Sequence, residues 1–231
     1  MPRMLQELKQ KITVDWPALA PDLRFVWNTM LEPYLAEPAL LSRIKVLLVG
    51  DNPGVEEAKH SIYLAPTGRS GKEARRVLGA AGFDYDRQVA NLNKSPIHTP
   101  KTADLQVFKP QHNDLIIETE QFMARCLVAL LRETGAHAII IGMAGCDAKQ
   151  PGWPHTGRSG RFPASYVLPH YFAELKRAIG GDTALQRRVL ITKHFSHGHF
   201  GNDLKALGYE PGDDLLATLG RLPYAPYLFA D

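Results

Sequence analysis

Short apolar runs that stop abruptly at polar turn residues recur along the chain, separated by stretches whose apolar positions follow a helical spacing. Val46-Leu47-Leu48-Val49 is apolar on both would-be faces, the mark of a parallel strand covered on either side, and it breaks at once into Gly50-Asp51-Asn52-Pro53-Gly54. A strand is therefore predicted over 44–49. A second, over 88–93, runs into the turn-rich Lys94-Ser95-Pro96-Ile97-His98-Thr99-Pro100. A third, over 137–142, repeats the first pattern, and Val189-Leu190-Ile191-Thr192 is the fourth, ending in Lys193-His194-Phe195-Ser196. Helices are predicted over 3–12, with a break at Asp15-Trp16-Pro17, and over 23–35, where Leu23, Val26, Trp27, Met30, Leu31, Tyr34 and Leu35 share one face and Pro38 ends the run. Further helices follow over 71–81, closed by Gly82, over 114–134, closed by Gly135, and over 165–179, with two short ones near 203–208 and 213–220.

Strands that alternate with helices predict an α/β chain, a four-stranded parallel sheet in a three-layer α/β/α sandwich. One domain over 1–231 is expected, with helices over 1–43 ahead of a core over 44–205 that holds the informative turns. In open sheets of this kind ligands bind beyond the carboxyl ends of the strands. Asp51, Asn52, Asn91 and His194 all fall at or near such ends, so the sheet would gather them along one edge.

Composition changes this picture only slightly. The 231 residues are 45% hydrophobic, ample for one core, and the formal charge of +3 permits an anionic partner without requiring one. Cys126 and Cys146 share no ligand or disulfide spacing, which suits a reducing cytoplasm. The first thirty residues lack a secretory pattern, and no apolar run approaches the ~20 residues needed to span a bilayer. A soluble cytoplasmic monomer that does not touch membranes is expected.

The residues at the strand ends suit cleavage of a base-sugar bond. Such a reaction builds positive charge on the sugar and negative charge on the departing base, so it needs a group that orients water and donors around the base. Asn52 or Asp51 can do the first. An asparagine amide, with one acceptor and two donors, matches the N–H and C=O edge of uracil, and Asn91 is the residue expected to read it. A histidine just past a strand, such as His194, has a structural role as its plainer reading. Turn capping is the plainer role open to each asparagine.

Taken in order, these segments resemble the uracil-DNA glycosylase superfamily. Gly50-Asp51-Asn52-Pro53-Gly54 is similar to the Gly-x-Asn-Pro-Gly motif of its mismatch-specific branch, Asn91-Leu92-Asn93-Lys94-Ser95-Pro96 to the Asn-x-x-Lys segment of its thermostable iron-sulfur branch, and His194-Phe195-Ser196 stands where the family has His-Pro-Ser. The resemblance implies a hydrolase acting on uracil or a related damaged base flipped out of DNA and leaving an abasic site. It implies Asn52 as the residue that positions water, or Asp51, which falls where the iron-sulfur branch has its catalytic glutamate, and His194 as a donor to the base as its charge develops. Gly50, Pro53, Gly54 and Ser196 would shape the base site, Tyr63 or Leu64 would stack on the base, and Phe200 or Phe195 would enter the duplex. Lys94 would face the DNA. Ser95 replaces a cluster cysteine and Phe195 replaces the proline of His-Pro-Ser, so no iron-sulfur cluster or other cofactor is expected, and a weakly active or binding-only protein is the alternative.

Two features lie outside that resemblance. Thr67-Gly68-Arg69-Ser70-Gly71 and Thr156-Gly157-Arg158-Ser159-Gly160 are identical. Their amides, hydroxyls and guanidinium groups suit phosphate, which predicts backbone contacts by Arg69, Ser70, Arg158 and Ser159. His194, His197 and His199 offer a metal-dependent hydrolase as a further alternative, although no Cys or Glu completes a ligand spacing, and no metal is expected.

Overall fold

The computed structural model describes residues 2–141, 168–195, 199–222 and 224–229. Four strands, β1 (Val46–Gly50), β2 (Val89–Asn93), β3 (His137–Ile141) and β4 (Val189–Thr192), form an all-parallel sheet in the order β2-β1-β3-β4. Neighbouring side chains on a strand point to opposite faces. All residues of β1, β2 and β4 are nevertheless buried, and in β3 only His137 is partly open. Both faces of the sheet are therefore covered, as the uniform apolar runs require.

The chain opens with α1 (Pro2–Gln10), a π turn over Lys11–Asp15 and α2 (Trp16–Leu19). Pro17 does not break the helical path, because it falls in the first turn of α2, where a missing N–H costs nothing. Trp16 is wholly buried and meets Phe122 edge-on at 5.8 Å. The helix expected over 23–35 forms only in its second half, as a 3-10 turn over Thr29–Leu31 followed by α3 (Glu32–Ala36). Residues 24–26 are instead extended. Phe25 bridges Ile97 in antiparallel fashion, with Val26 N–H donating to Pro96 O at 3.0 Å and His98 N–H to Arg24 O at 2.8 Å.

After β1 come α4 (Val55–His60), which the sequence reading took as loop, and α5 (Arg69–Ala80). Gly82 closes α5 at a φ of 85°, as expected. The short α6 (Tyr85–Gln88) precedes β2. Next, α7 (Leu105–Thr134) starts earlier than predicted but is broken at His112, two residues past Pro110, so its second segment matches the expected 114–134. Gly135 ends it at a φ of 69°. The remaining helices are α8 (Pro169–Ile179), α9 (Thr183–Gln186), α10 (His199–Ala206), α11 (Leu215–Leu219) and α12 (Tyr224–Phe229). No described helix is long and apolar enough to cross a membrane.

Candidate functional site

In the order β2-β1-β3-β4, the chain passes from β1 to one side and from β3 to the other, so neighbouring loops diverge between the carboxyl ends of β1 and β3. A cavity of about 410 Å³ opens there, and every strand supplies it: Gly50 from β1, Asn93 from β2, Ile141 from β3 and His194 just past β4. The turn Asp51-Asn52 forms its floor, Leu64 and Ala65 one wall, residues 68–71 at the start of α5 another, and residues 99–102 a third. A cavity of similar size, about 460 Å³, lies against the opposite end of β4, between Val189, Leu190 and Leu219. None of the buried side-chain polar atoms left without a partner belongs to that second cavity. Asp51, Asn52 and His194, the catalytic candidates named from the sequence, gather at the first.

Asn52 is buried, and its amide direction is fixed by its surroundings: Nδ2 donates to Ile97 O at 3.0 Å and to Thr99 Oγ1 at 2.7 Å. A carbonyl can only accept, so Oδ1 is turned the other way and takes no hydrogen bond from the described residues. It is free to hold a water. Asp51, also buried, gives Oδ1 to an ion pair with Lys94, whose Nζ donates in addition to Ile141 O at 2.6 Å. The Lys94 ammonium lies 5.4 Å from the centre of the Phe172 ring. The DNA contact expected of Lys94 does not hold, because the residue is 0% exposed and its charge is spent beneath the cavity floor.

Asn91, expected to read the base, lies in the middle of β2 opposite Leu48. Both ends of its amide are engaged: Nδ2 donates to Tyr63 O at 3.2 Å, and Oδ1 accepts from Tyr85 Oη at 3.1 Å. Its place is structural. The residue that meets the expected description is Asn93, two positions along on the same side of the strand. Asn93 is 1% exposed, lines the cavity, and finds no partner for either Nδ2 or Oδ1 among the described residues. A buried polar group left unpaired costs about 1–3 kcal/mol, so the Asn93 amide has hydrogen-bonding capacity that water or a ligand in the cavity can satisfy. Gly50 stands opposite Asn93, and a Cβ there would fall 2.5 Å from Asn93 Oδ1. The absent side chain makes the room.

Of the two stacking candidates, Leu64 lines the cavity and Tyr63 does not. Tyr63 is 1% exposed, and its hydroxyl donates to Val26 O at 2.6 Å, which ties the wall to the N-terminal segment. Leu64 holds a φ of 49°, a left-handed conformation that costs a side chain roughly 1–2 kcal/mol. Its N–H donates to the Glu57 carboxylate. Burial pushes the Glu57 carboxyl above its ordinary value; the Gly54 and Leu64 N–H groups pull the other way, and Asp51 adds to the rise.

Gly50, Gly54, Arg69 and Ser70 line the cavity, whereas Pro53 stands behind it, its carbonyl accepting from the His98 ring and from Thr99 N–H. Arg69 and Ser70 form the first turn of α5, whose N-terminus opens into the cavity. His194 is partly buried on the wall. Phe200 is not a duplex wedge: it is 0% exposed and stacks on the equally buried Phe195 at 4.2 Å. Arg158, Ser159, Ser196 and His197 lie outside the described residues, as does the side chain of His199. Among the described residues, no three His, Cys, Asp or Glu side chains gather as a metal site. No protein-family model matches the chain, and no curated protein matches it significantly.

Proposed function

We propose that the protein is a monofunctional DNA glycosylase of the uracil-DNA glycosylase type, hydrolysing the bond between deoxyribose and uracil or a related damaged base. The observation that carries this reading is that one cavity is lined both by the buried amide of Asn93, unpartnered among the described residues, and by Asn52, whose Nδ2 is engaged and whose Oδ1 is not. A flipped base enters with its N–H and C=O edge on Asn93, which donates through Nδ2 and accepts through Oδ1. Asn52 Oδ1 holds a water below the sugar. As the bond to the base breaks, its electron pair leaves with the base, positive charge grows on the sugar, and the water oxygen bonds to the anomeric carbon. The proton released by the water ends on the base. Asp51, kept beside this charge by Lys94, stabilises the cationic sugar, and His194 meets the developing negative charge on the base.

The test is cleavage of single- and double-stranded oligonucleotides carrying one deoxyuridine, read by alkaline scission. Asn93→Ala and Asn52→Ala should each lower the rate by about 100-fold or more. An Asn93→Ala enzyme as fast as wild type would sink the assignment. The ion pair that ties up Asp51 favours one second reading, a protein that binds the base without cutting. Wild type that retains a uracil-bearing strand yet leaves no abasic site would select it.

A further inference from the structure

Glu57 joins two parts of the cavity that the sequence keeps apart. Its Oε2 accepts from Gly54 N–H at 2.7 Å, at the end of the turn that carries Asn52, and its Oε1 accepts from Leu64 N–H, on the wall. Ser61 and Leu64 are the described non-glycine residues with positive φ, and Ser61 has an ordinary reason, since it closes α4. Leu64 has none of that kind. Strained residues of this sort persist where the surroundings over-determine them, and they concentrate at functional sites. Here the surroundings are specific: besides Glu57, Gly71 admits the Leu64 and Ala65 carbonyls where any Cβ would collide with them, and Asn91 holds the Tyr63 carbonyl from below. The effect is to fix an aliphatic face, 5% exposed, on the cavity wall.

We infer that Glu57 is a positioning residue that clamps Leu64 against the flat ring of the ligand, at a fixed distance from the water site on Asn52. The ligand half of this inference rests on the proposed nucleobase reading; the clamp itself does not. A carboxylate is required because both partners are N–H donors. Glu57→Gln keeps size and shape but offers one acceptor, so one of the two N–H groups must face an NH₂.

The experiment has two arms. In the first, the Leu64 amide proton is followed by NMR: a charge-assisted bond places it far downfield in wild type, and Glu57→Gln should move it upfield. An unmoved resonance overturns the clamp, whatever the protein does. In the second, KM and kcat for the deoxyuridine oligonucleotide are measured for Glu57→Gln, Leu64→Gly and the double variant, with equilibrium Kd in place of KM if wild type binds without cutting. Leu64→Gly relieves the backbone and so keeps the fold while removing the face. Each single variant should raise KM about tenfold with kcat changed less than about twofold, the pattern of lost binding common to ground and transition states. The double variant should match Leu64→Gly alone, since Glu57 acts through Leu64. Full additivity, or Leu64→Gly with the KM of wild type, overturns the inference. A wild type that neither binds nor cleaves the oligonucleotide removes the ligand half together with the proposed function, while the amide resonance still decides the clamp.

Discussion

Glu120 shows how far a single buried side chain can move the protein's response to pH. It is 0% exposed; Oε2 accepts from the N–H groups of His170 and Tyr171 at 3.0 and 3.2 Å, while Oε1 has no partner. Burial pushes its carboxyl up from 4.5 to about 8, against the pull of the Tyr171 N–H, Lys109, the His170 N–H and Lys94. The folded chain therefore keeps a proton that the unfolded chain releases, and between these two values stability falls as pH rises. Glu120→Gln retains an acceptor for the two N–H groups and has no proton to lose. It should be more stable than wild type at pH 8, by on the order of 1 kcal/mol or more, and its urea midpoint should vary less from pH 5 to pH 8. A Gln variant with the pH profile of wild type would contradict this account. The asparagines show what is legible at the same scale. A period of two places Asn91 and Asn93 on one side of β2, but which of them reaches the rim depends on where the strand stops relative to its neighbours. Gly50 offers a partial cue, since a glycine that ends a strand signals a close approach by a neighbour, although not which one.

At the scale of elements, β1, β3 and β4 could be read because each is a nearly unbroken apolar run, and β2, with two asparagines on one side, by its alternation and the turn-rich segment that follows. The helix over 23–35 could not. Its apolar positions fit a helical stripe, yet Phe25 and its neighbours satisfy their backbone on the segment around Ile97, and that pairing overrides the local pattern. Likewise Lys94 reads as a surface lysine until the strand beside it is known to carry Asp51 at its end. The first Thr-Gly-Arg-Ser-Gly copy does open a helix on the cavity, so the proposed phosphate contact can be tested there. Removing one phosphate contact reduces the dependence of log K on log salt by about 1. Arg69→Ala should show that reduction in DNA binding across 50 to 200 mM salt, with affinity lowered evenly across sequences; an unchanged slope would remove Arg69 from the interface.

For the molecule as a whole, the ammonium of Lys94 is the point where three strands meet. It extends from just past β2, pairs with Asp51 just past β1, and reaches the last carbonyl of β3 at 2.6 Å. Removing one member of a buried ion pair strands the other, at a cost of about 3–5 kcal/mol. Lys94→Met should lower the stability by roughly this amount, and the double variant Lys94→Met, Asp51→Asn should recover much of the loss, as read by chemical denaturation. Equal losses in the single and double variants would mean that the pair is not coupled as described.

The cavity also has an uneven origin along the chain. The turn at Asn52, the wall at Leu64 and the amide of Asn93 come from one unbroken stretch, whereas His194 follows the outermost strand, β4, which pairs only with β3. On the proposed reading, a ribosome delivers the residues that would hold the base about a hundred residues before the histidine assigned to the departing charge. On that reading the base-reading amide and the water-orienting turn are made together and early, and a chain halted before β4 would lack the group proposed to meet the departing charge.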